Sequence, residues 1–346
     1  MTLTILLSFF IIPIFLFISF KIAKIINLYD HPNQKRKIHF KPVLLVGGIF
    51  FQIIFLSYFI ILSFFNILNI DSFLLLDTKN SIVLLITLSV VFAIGLYDDK
   101  KNIKPIIKLV LIFLIFSVSL SFIDSTFVIQ NLKSFFKQDL QLNSYSIFFT
   151  AFCFTVLLNA INMADGINSL SSIIFVIWIF CLNLITPTTS IFFFINIILV
   201  YALIIFAVLN YQNRFFLGDS GCYVLITYVS FLTVYIYNIG LNKNLNYLNV
   251  ESIFLLFMIP GVDMLRLFFK RSINKKNPFE ADSNHLHHIL LKRLGNFNTL
   301  IIYGGSIFIP WILYYFFISL LPYLIIISLL IYIFLIQLKK DNYETN

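Results

Sequence analysis

The sequence predicts an all-α, polytopic membrane protein, and three observations favour this fold class. Hydrophobic residues make up 60% of the 346-residue chain and charged residues only 11%, whereas an average soluble domain is about 25% charged. A soluble fold needs a polar surface that this composition does not supply. In addition, the apolar residues fall into runs of about 20, the length of a helix that crosses a bilayer.

The apolar runs predict about eleven transmembrane helices. The first run has no early Lys or Arg, so we interpret it as a retained span and not as a cleaved signal. The fifth and sixth runs are divided only by the short polar segment 162–166. The predicted spans are 2–21, 43–65, 79–97, 105–123, 145–162, 167–186, 190–209, 220–239, 251–269, 298–318 and 320–338.

The distribution of basic residues predicts the orientation. All but four of the 24 Lys and Arg residues lie in or beside the connections that follow odd-numbered spans, or in the C-terminal tail. Because basic loops stay in the cytoplasm, we expect the N-terminus outside and the C-terminus inside. The net charge of +9 is therefore a topology signal, and charges dispersed over short loops do not indicate a nucleic-acid partner.

A single membrane domain is expected over residues 1–346. The longest polar stretch, 270–297, is too short for a separate soluble domain. The three cysteines, Cys153, Cys181 and Cys222, lie far apart in or beside apolar runs. They predict neither a disulfide framework nor a thiolate metal site.

The unusual polar residues fall at the predicted cytoplasmic ends of the spans. They are Asp98, Asp99, Asn159, Asn162, Asp165, Asn210, Asp219, Asp263, Asp282, His285, His287 and His288. Carboxylates without thiolates suit a hard cation such as Mg²⁺, and nearby His, Lys and Arg suit phosphate oxygens. Together they indicate a site for a diphosphate substrate and a lipid partner, formed by the cytoplasmic loops.

Each motif also has a structural interpretation that the sequence leaves open. The Asp98-Asp99 pair and Asp263 could be solvated helix ends. The i, i+3, i+6 spacing of Asn159, Asn162 and Asp165 could form a polar seam between helices. Lys108 lies just inside the fourth span, where a buried lysine needs an anionic partner.

Two further motif interpretations are weaker. The segment 218–221 has the Gly-Asp-Ser-Gly sequence of serine proteases, but the chain has no β-barrel or disulfide pattern to accompany it. The His-Leu-His-His segment could bind zinc, but it lacks the Cys or paired Glu-His ligands of such sites. The excess of basic residues in cytoplasmic loops accounts for most of the Lys and Arg residues at 35–41, without a role in substrate binding.

Taken in order, these motifs resemble those of the polyprenyl-phosphate N-acetylhexosamine-1-phosphate transferases, the WecA/TagO/MraY superfamily or glycosyltransferase family 4. The resemblance covers essentially the whole chain, and the eleven-span count fits the WecA/TagO-like branch. The matching pieces are Asp30 to Asn33, Lys37 to His39, Gly47 and Gly48, Gly95 to Asp99, Lys108, Asn159 to Gly166, Gly218 to Gly221 and Asp282 to His288. The His-Leu-His-His form is similar to the branch that transfers N-acetylglucosamine-1-phosphate or a related sugar.

The resemblance implies a reaction in which a UDP-N-acetylhexosamine and undecaprenyl phosphate give an undecaprenyl-diphosphate sugar and UMP. It implies a bacterial inner-membrane enzyme among membrane lipids, with its active site facing the cytoplasm, that starts a cell-envelope glycan such as O-antigen. Mg²⁺ is the implied cofactor, with Mn²⁺ as an alternative, and a homodimer is left open.

The resemblance also implies roles for individual residues. Asp219 would be the principal Mg²⁺ ligand, with Asp98 and Asp99 beside the metal and the lipid phosphate. The implied catalytic set is Asp98, Asp99, Asp165 and His285. The implied substrate-binding set is Lys37, His39, Lys108, Asn159, Asn162, Asn168, Asn210, His287 and His288.

The chain departs from the family pattern at two positions. Asn168 stands where the family usually has a second Asp after Asp165, and Ser283 stands where many members have Arg. One negative and one positive charge are thus absent from the expected site. The nucleotide and sugar contacts are where we expect this chain to differ.

The ionisation state of the lipid phosphate argues against a general-base role for Asp98 and Asp99. A phosphate monoester has a second pKa near 6, so the nucleophile is largely ionised at neutral pH and hardly needs a base. We therefore favour Asp98 and Asp99 as metal and water ligands. The single-turnover rate of Asp98→Asn distinguishes the two roles. If Asp98 is a base, the loss of rate becomes smaller at high pH. If Asp98 is a metal ligand, added Mg²⁺ restores the rate.

Two other classes of function remain alternatives. An ion-coupled transporter or a lipid-linked oligosaccharide flippase usually has ionisable groups near the membrane midplane, where this chain has almost none. A non-catalytic assembly scaffold does not account for the ordered acidic motifs.

Overall fold

The computed structural model describes residues 2–32, 41–67, 77–136, 139–242, 248–278 and 284–337. Within these ranges it contains eleven α-helices: α1 Thr2–Ile25, α2 Gly47–Ile67, α3 Thr78–Lys101, α4 Pro105–Phe122, α5 Ser146–Ala164, α6 Leu170–Ile185, α7 Ile191–Tyr211, α8 Gly218–Asn242, α9 Val250–Ile273, α10 Leu286–Phe316 and α11 Leu321–Gln337. Nine are long and apolar enough to cross a membrane, and α2 and α6 have shorter apolar stretches. The predicted all-α membrane fold is confirmed.

Local signals explain several helix ends. Helix α4 begins at Pro105, a favoured first residue because the N–H that proline lacks would have no partner there. The Asn249 side chain caps α9 by accepting from Ser252 N at 2.8 Å, and Ser252 Oγ accepts from Asn249 N at 3.0 Å. The fifth and sixth predicted spans are separate helices, because the chain turns between them with Ser169 at φ 68°.

Helix α10 is not continuous. Gly295 leaves helical geometry at φ 74° and ψ 172°, which divides α10 into segments 286–294 and 296–316. The second segment corresponds to the predicted span at 298–318. The first contains His287 and His288, which the sequence analysis placed in a loop. These two histidines therefore lie in the first turn of a helix, and His285 directly precedes it.

Helix α8 lies at the centre of the bundle and packs against α2, α3, α5 and α6. A small sheet of three strands holds its N-terminal end, formed by β1 Tyr29–Asp30, β2 Val43–Leu45 and β5 Phe215–Phe216. Strand β2 pairs antiparallel with β1 and parallel with β5. Strands of two or three residues show no alternating pattern, so the sequence analysis did not predict them.

The opposite end of the bundle carries a short hairpin of β3 Asn131–Lys133 and β4 Asp139–Gln141. Tyr237 of α8 donates its hydroxyl hydrogen to Asn131 O at 2.8 Å and accepts from Lys133 N at 2.7 Å. Glu251 in the first turn of α9 accepts from Phe135 N at 2.9 Å. These contacts keep the hairpin away from the end that holds the polar motifs.

Glycines allow the ends of two helices, α2 and α3, to approach the start of α8 closely. A Cβ at Gly47 would lie 2.6 Å from the Leu217 side chain, and a Cβ at Gly48 would overlap Ser220. A Cβ at Gly95 of α3 would overlap the Ser220 backbone. The first turns of α2 and α8 and the last turns of α3 therefore meet almost backbone to backbone.

We expect Gly95→Ala to lower the free energy of unfolding by about 1–3 kcal/mol, because a rigid backbone has to move to admit the methyl group. Thermal unfolding in detergent measures the change. Gly305→Ala is the matched control, since its Cβ would meet only Ile309 Cδ1 at 3.7 Å. Equal midpoints for the two variants would contradict the close approach of α3 and α8.

Candidate active site

A lysine lies between two carboxylates where α3, α4 and α8 meet. Lys108 Nζ, in the first turn of α4, lies 2.6 Å from Asp98 Oδ2 and 3.4 Å from Asp219 Oδ2. Asp98 belongs to the last turn of α3, and Asp219 to the first turn of α8. The sequence analysis expected an anionic partner for Lys108, and the structure identifies two.

Asp98 is buried and accepts from three donors. Besides Lys108, Tyr223 Oη donates to its Oδ2 at 3.0 Å and Ile103 N donates to its Oδ1 at 2.7 Å. Only 3% of the Asp98 surface is exposed. Its position is set by these donors, so its direct effect in this structure is to hold the Lys108 ammonium. Sequence reasoning missed Tyr223, although it lies one turn after Asp219 on the same helix.

Asp99 caps the N-terminus of α8. Its Oδ1 accepts from Asp219 N at 2.7 Å, and its Oδ2 accepts from Ser220 N at 3.2 Å and from Ser220 Oγ at 2.6 Å. A carboxylate here satisfies N–H groups that have no partner within the helix and is favoured by the helix dipole. The structure thus gives Asp99 the task of placing Asp219, while its predicted metal contact stays a prediction.

Asp165 lies immediately after α5, close to the same centre. It neighbours Cys222 of α8, and Cys222 is also within electrostatic range of Asp219 and Asp99. Burial raises the pKa of Asp165 to about 6, partly offset by Ser171 and Cys222. Carboxylates from three connections therefore lie near Cys222, while their predicted meeting on one Mg²⁺-diphosphate stays a prediction.

The raised pKa of Asp165 predicts a pH-dependent stability. The unfolded chain ionises at this residue near pH 4 and the folded chain near pH 6, so ionisation costs folding stability as the pH rises between these values. We expect Asp165→Asn to be more stable than the wild type by up to about 3 kcal/mol at pH 7.5 and equal to it below pH 4. Thermal unfolding across pH tests this.

The control is Asp139→Asn, which makes the same Asp-to-Asn change at an exposed residue of the opposite hairpin. A constant gap between Asp165→Asn and the wild type from pH 4 to 8 would contradict the assignment.

The two asparagines of α5 have different environments. Asn159 Nδ2 lies 3.1 Å from Met264 Sδ of α9 and 3.6 Å from Met163 Sδ, which is a helix-packing contact. Asn162 Oδ1 is buried and has no hydrogen-bond partner among the described residues. A buried acceptor normally has a partner, so Asn162 is the better placed of the two to meet a ligand.

Asn210 and Asn168 organise the turn between α5 and α6. Asn210 Oδ1 accepts from Ser169 N, and its Nδ2 donates to Phe215 O at 2.6 Å. Asn168 Nδ2 donates to Asn213 Oδ1 at 2.7 Å on the surface. Asn210 thus joins this turn to β5 and the start of α8. The predicted substrate contacts of Asn168 and Asn210 stay predictions.

The histidine segment packs on the turn that follows α5. A Cβ at Gly166 would overlap the His287 ring and lie 3.1 Å from His288 Nε2. The His285 and His287 rings stack with centroids 5.5 Å apart and planes at 11°. His287 is 1% exposed, and neither of its ring nitrogens has a partner in the described part of the chain.

Several sequence predictions fall outside this geometry. Lys37 and His39 lie outside the described residues, as do Asp282 and Ser283. Sequence reasoning also missed that Asp263 is the buried partner of His285 and that Arg266 and Tyr332 donate to the same carboxylate. The signal available for them was the i, i+3 pairing of Asp263 with Arg266 on one helix.

The carboxylates suit a metal ion that binds together with the substrate phosphates. They do not form a complete set of protein ligands among the described residues. Within the described ranges, no group of three or more His, Cys, Asp or Glu side chains is arranged to hold a metal. Mg²⁺ often binds through one or two carboxylates together with substrate phosphates and waters. With 33% of its side chain exposed, against 3% for Asp98, Asp219 suits this role.

Comparison with known proteins agrees with this geometry. The family model described as glycosyl transferase family 4 matches residues 81–237. The matched segment runs from α3 to α8 and contains the Asp98, Lys108 and Asp219 cluster. This part of the chain is similar to glycosyl transferase family 4.

Curated proteins similar to this chain include several named undecaprenyl-phosphate alpha-N-acetylglucosaminyl 1-phosphate transferase. The Thermotoga maritima protein is 27% identical over 284 residues, covering 81% of this chain and 78% of the relative. The Salmonella typhi protein is 26% identical over 294 residues, covering 81% and 73%. The Shigella flexneri protein is 25% identical over 288 residues, with the same coverage.

Proposed function

We propose that this protein transfers an N-acetylhexosamine-1-phosphate group, with N-acetylglucosamine-1-phosphate as the first candidate, from a UDP-sugar to undecaprenyl phosphate. A lipid phosphate oxygen forms a bond to the β-phosphorus of the UDP-sugar. The bond between that phosphorus and the oxygen bridging to the α-phosphate breaks, and the oxygen leaves with UMP. The relatives' names include undecaprenyl phosphate and the N-acetylglucosaminyl 1-phosphate group, and the resemblance of the sequence motifs implies the UDP-sugar donor.

The observation that carries the proposal is the Lys108 ammonium held between Asp98 and Asp219 at the ends of three helices. A cation beside a partly exposed carboxylate suits a reaction between two anionic phosphates. Phosphoryl transfer depends mainly on positioning and on charge stabilisation. Lys108 supplies the positive charge, and Asp98, Tyr223 and Ile103 N fix where that charge sits.

The donors around Asp98 support an anchoring role over a proton-abstracting one. The lipid phosphate is largely ionised at neutral pH and requires little help from a base. Asp219 would hold Mg²⁺, which when bound supplies neutralisation of the diphosphate and of the departing UMP. Asp99 holds the first turn of α8 and so fixes the direction of Asp219.

In this proposal the nucleotide and sugar bind at the turn that follows α5, against which the histidine segment packs. Asn162 Oδ1 and the His287 ring nitrogens are buried without partners in the described ranges, and such atoms suit a polar ligand. Asp165 belongs to the turn after α5, and the next residue of that turn, Gly166, lies against the His287 ring. His288 adjoins the same turn and is included in the substrate side of the site.

The proposed location is the bacterial inner membrane, with the site on the cytoplasmic face where both UDP-sugars and the basic loops are found. The product would start a cell-envelope glycan such as O-antigen. Ionisable groups at helix ends support a surface reaction and not transport through the bilayer.

Purified protein incubated with UDP-N-acetylglucosamine, undecaprenyl phosphate and Mg²⁺ tests the proposal. A ³²P label on the β-phosphate is expected in the lipid extract, with equimolar UMP in the aqueous phase. Transfer of the sugar alone would instead leave the label in water as UDP. The proposal fails if no UDP-N-acetylhexosamine in a panel of epimers gives UMP.

A further inference from the structure

A buried carboxylate in α9 gathers donors from three parts of the chain. Asp263 is 3% exposed. Its Oδ1 accepts from Arg266 Nη2 at 2.8 Å and from Tyr332 Oη of α11 at 2.9 Å. Its Oδ2 lies 2.8 Å from His285 Nδ1 and accepts from Leu286 N at 3.2 Å. This one side chain therefore fixes both the His285 ring and the first turn of α10.

Arg266 and Tyr332 close the network. Arg266 Nε donates to Tyr332 Oη at 2.9 Å, and its Nη2 donates to Asn284 O at 2.7 Å. The backbone just before His285 is therefore held from α9 as well. Buried ion pairs add little stability compared with apolar packing, so a network of this extent at a candidate active site indicates orientation of a functional segment.

The network also determines which His285 nitrogen carries the proton. A carboxylate only accepts hydrogen bonds, so the Nδ1 that faces Asp263 is the protonated one. The Nδ1 atom of His285 faces Asp263, and the His285 ring stacks on the ring of His287. The partner-free nitrogens belong to His287, which lies against Gly166.

We propose that Asp263, with Arg266 and Tyr332, is a positioning residue that sets His285 and, through ring stacking, orients His287 towards the sugar-diphosphate. The inference rests on the proposed function and deepens it. In this inference His285 orients His287, and His287 is the histidine that contacts the substrate. Among the described residues, the contacts of Asp263, Arg266 and Tyr332 do not include Lys108, Asp98 or Asp219.

Kinetics of four variants test the proposal. We expect Asp263→Asn to raise the UDP-sugar KM and lower kcat, so that kcat/KM falls about 10- to 100-fold, with the KM for undecaprenyl phosphate unchanged. Loss of folded molecules alone lowers kcat and moves neither KM. Asp263→Glu keeps the charge and should retain more activity than the isosteric Asp263→Asn. The reverse order would overturn a positioning role.

Tyr332→Phe has a matched control. Tyr228 Oη donates to Asn196 Oδ1 at 2.6 Å in the buried interior, away from the site. Tyr228→Phe therefore deletes an equally buried hydroxyl contact. We expect the UDP-sugar KM to change only in Tyr332→Phe, and equal effects in both variants would overturn the proposal.

A measurement without turnover separates this inference from the proposed function. Diethyl pyrocarbonate modifies accessible histidines, and mass spectrometry locates the label. We expect His285 and His287 to be protected in the wild type and in Tyr228→Phe, and labelled in Asp263→Asn at unchanged helical content. Absence of UMP release from the wild type would refute the proposed function alone. Continued protection in Asp263→Asn would refute the positioning network.

Discussion

Asp219→Asn is expected to lower the single-turnover rate of UMP release about 1,000-fold, because the substitution removes the most exposed carboxylate of the Lys108 cluster. Groups that stabilise charge in a transition state have effects of this size. Asparagine has nearly the same shape, and the Asp219 N–H bond to Asp99 does not involve the side chain. The fold should therefore be unchanged.

A Mg²⁺ titration accompanies this variant. The half-saturating Mg²⁺ concentration is expected to rise in Asp219→Asn, since an amide is a weaker ligand for a hard cation than a carboxylate. Asp77→Asn serves as the control, because Asp77 is an exposed carboxylate at the other end of α3 and makes no side-chain cap bond. Activity of Asp219→Asn within tenfold of the wild type would contradict a central role.

The helices were predictable from the sequence because bilayer thickness imposes a length on each apolar run. All eleven predicted spans have a helix in the described structure. The three-stranded sheet was not predictable, since strands such as Phe215–Phe216 are held by partners distant in sequence. Yet that sheet brings the first turns of α2 and α8 together, and so contributes to the site.

The site was predictable in composition but only partly in geometry. Lys108 at the start of an apolar run indicated an anionic partner, and this was correct. Asp98 and Asp99 are adjacent and chemically identical, so no sequence pattern separates an anchor for Lys108 from a cap for α8. The backbone direction at the end of α3 makes that distinction.

Long-range polar partners account for the largest omission. For Asp263 the sequence left open that it is only a helix-end charge, whereas the structure shows donors from Arg266, His285 and Tyr332. Two of these donors lie 22 and 69 residues away along the chain. A single sequence contains no sign of such pairings, because they depend on how α9, α10 and α11 pack.

Lys108→Met is expected to lower the rate of UMP release about 1,000-fold, because it removes the cation at the candidate phosphate site. It should also lower the free energy of unfolding, by up to about 3 kcal/mol, since the buried Asp98 carboxylate loses its counter-charge. Lys104→Met is the control. Lys104 is an exposed lysine at the N-cap of α4. Its loss should change the rate of UMP release by no more than a factor of about two and should leave the free energy of unfolding nearly unchanged.

The double variant Lys108→Met with Asp98→Asn separates the two effects. Removing both charges leaves no uncompensated carboxylate, so stability should return towards that of the wild type, while activity should stay as low as in Lys108→Met. Thermal unfolding and single-turnover assays on the same preparations give both quantities. If the double variant recovers activity together with stability, Lys108 is a structural counter-ion for Asp98. If stability alone returns, pairing with Asp98 does not account for the lost activity, which is the result expected if Lys108, held between Asp98 and Asp219, acts on the reacting phosphates.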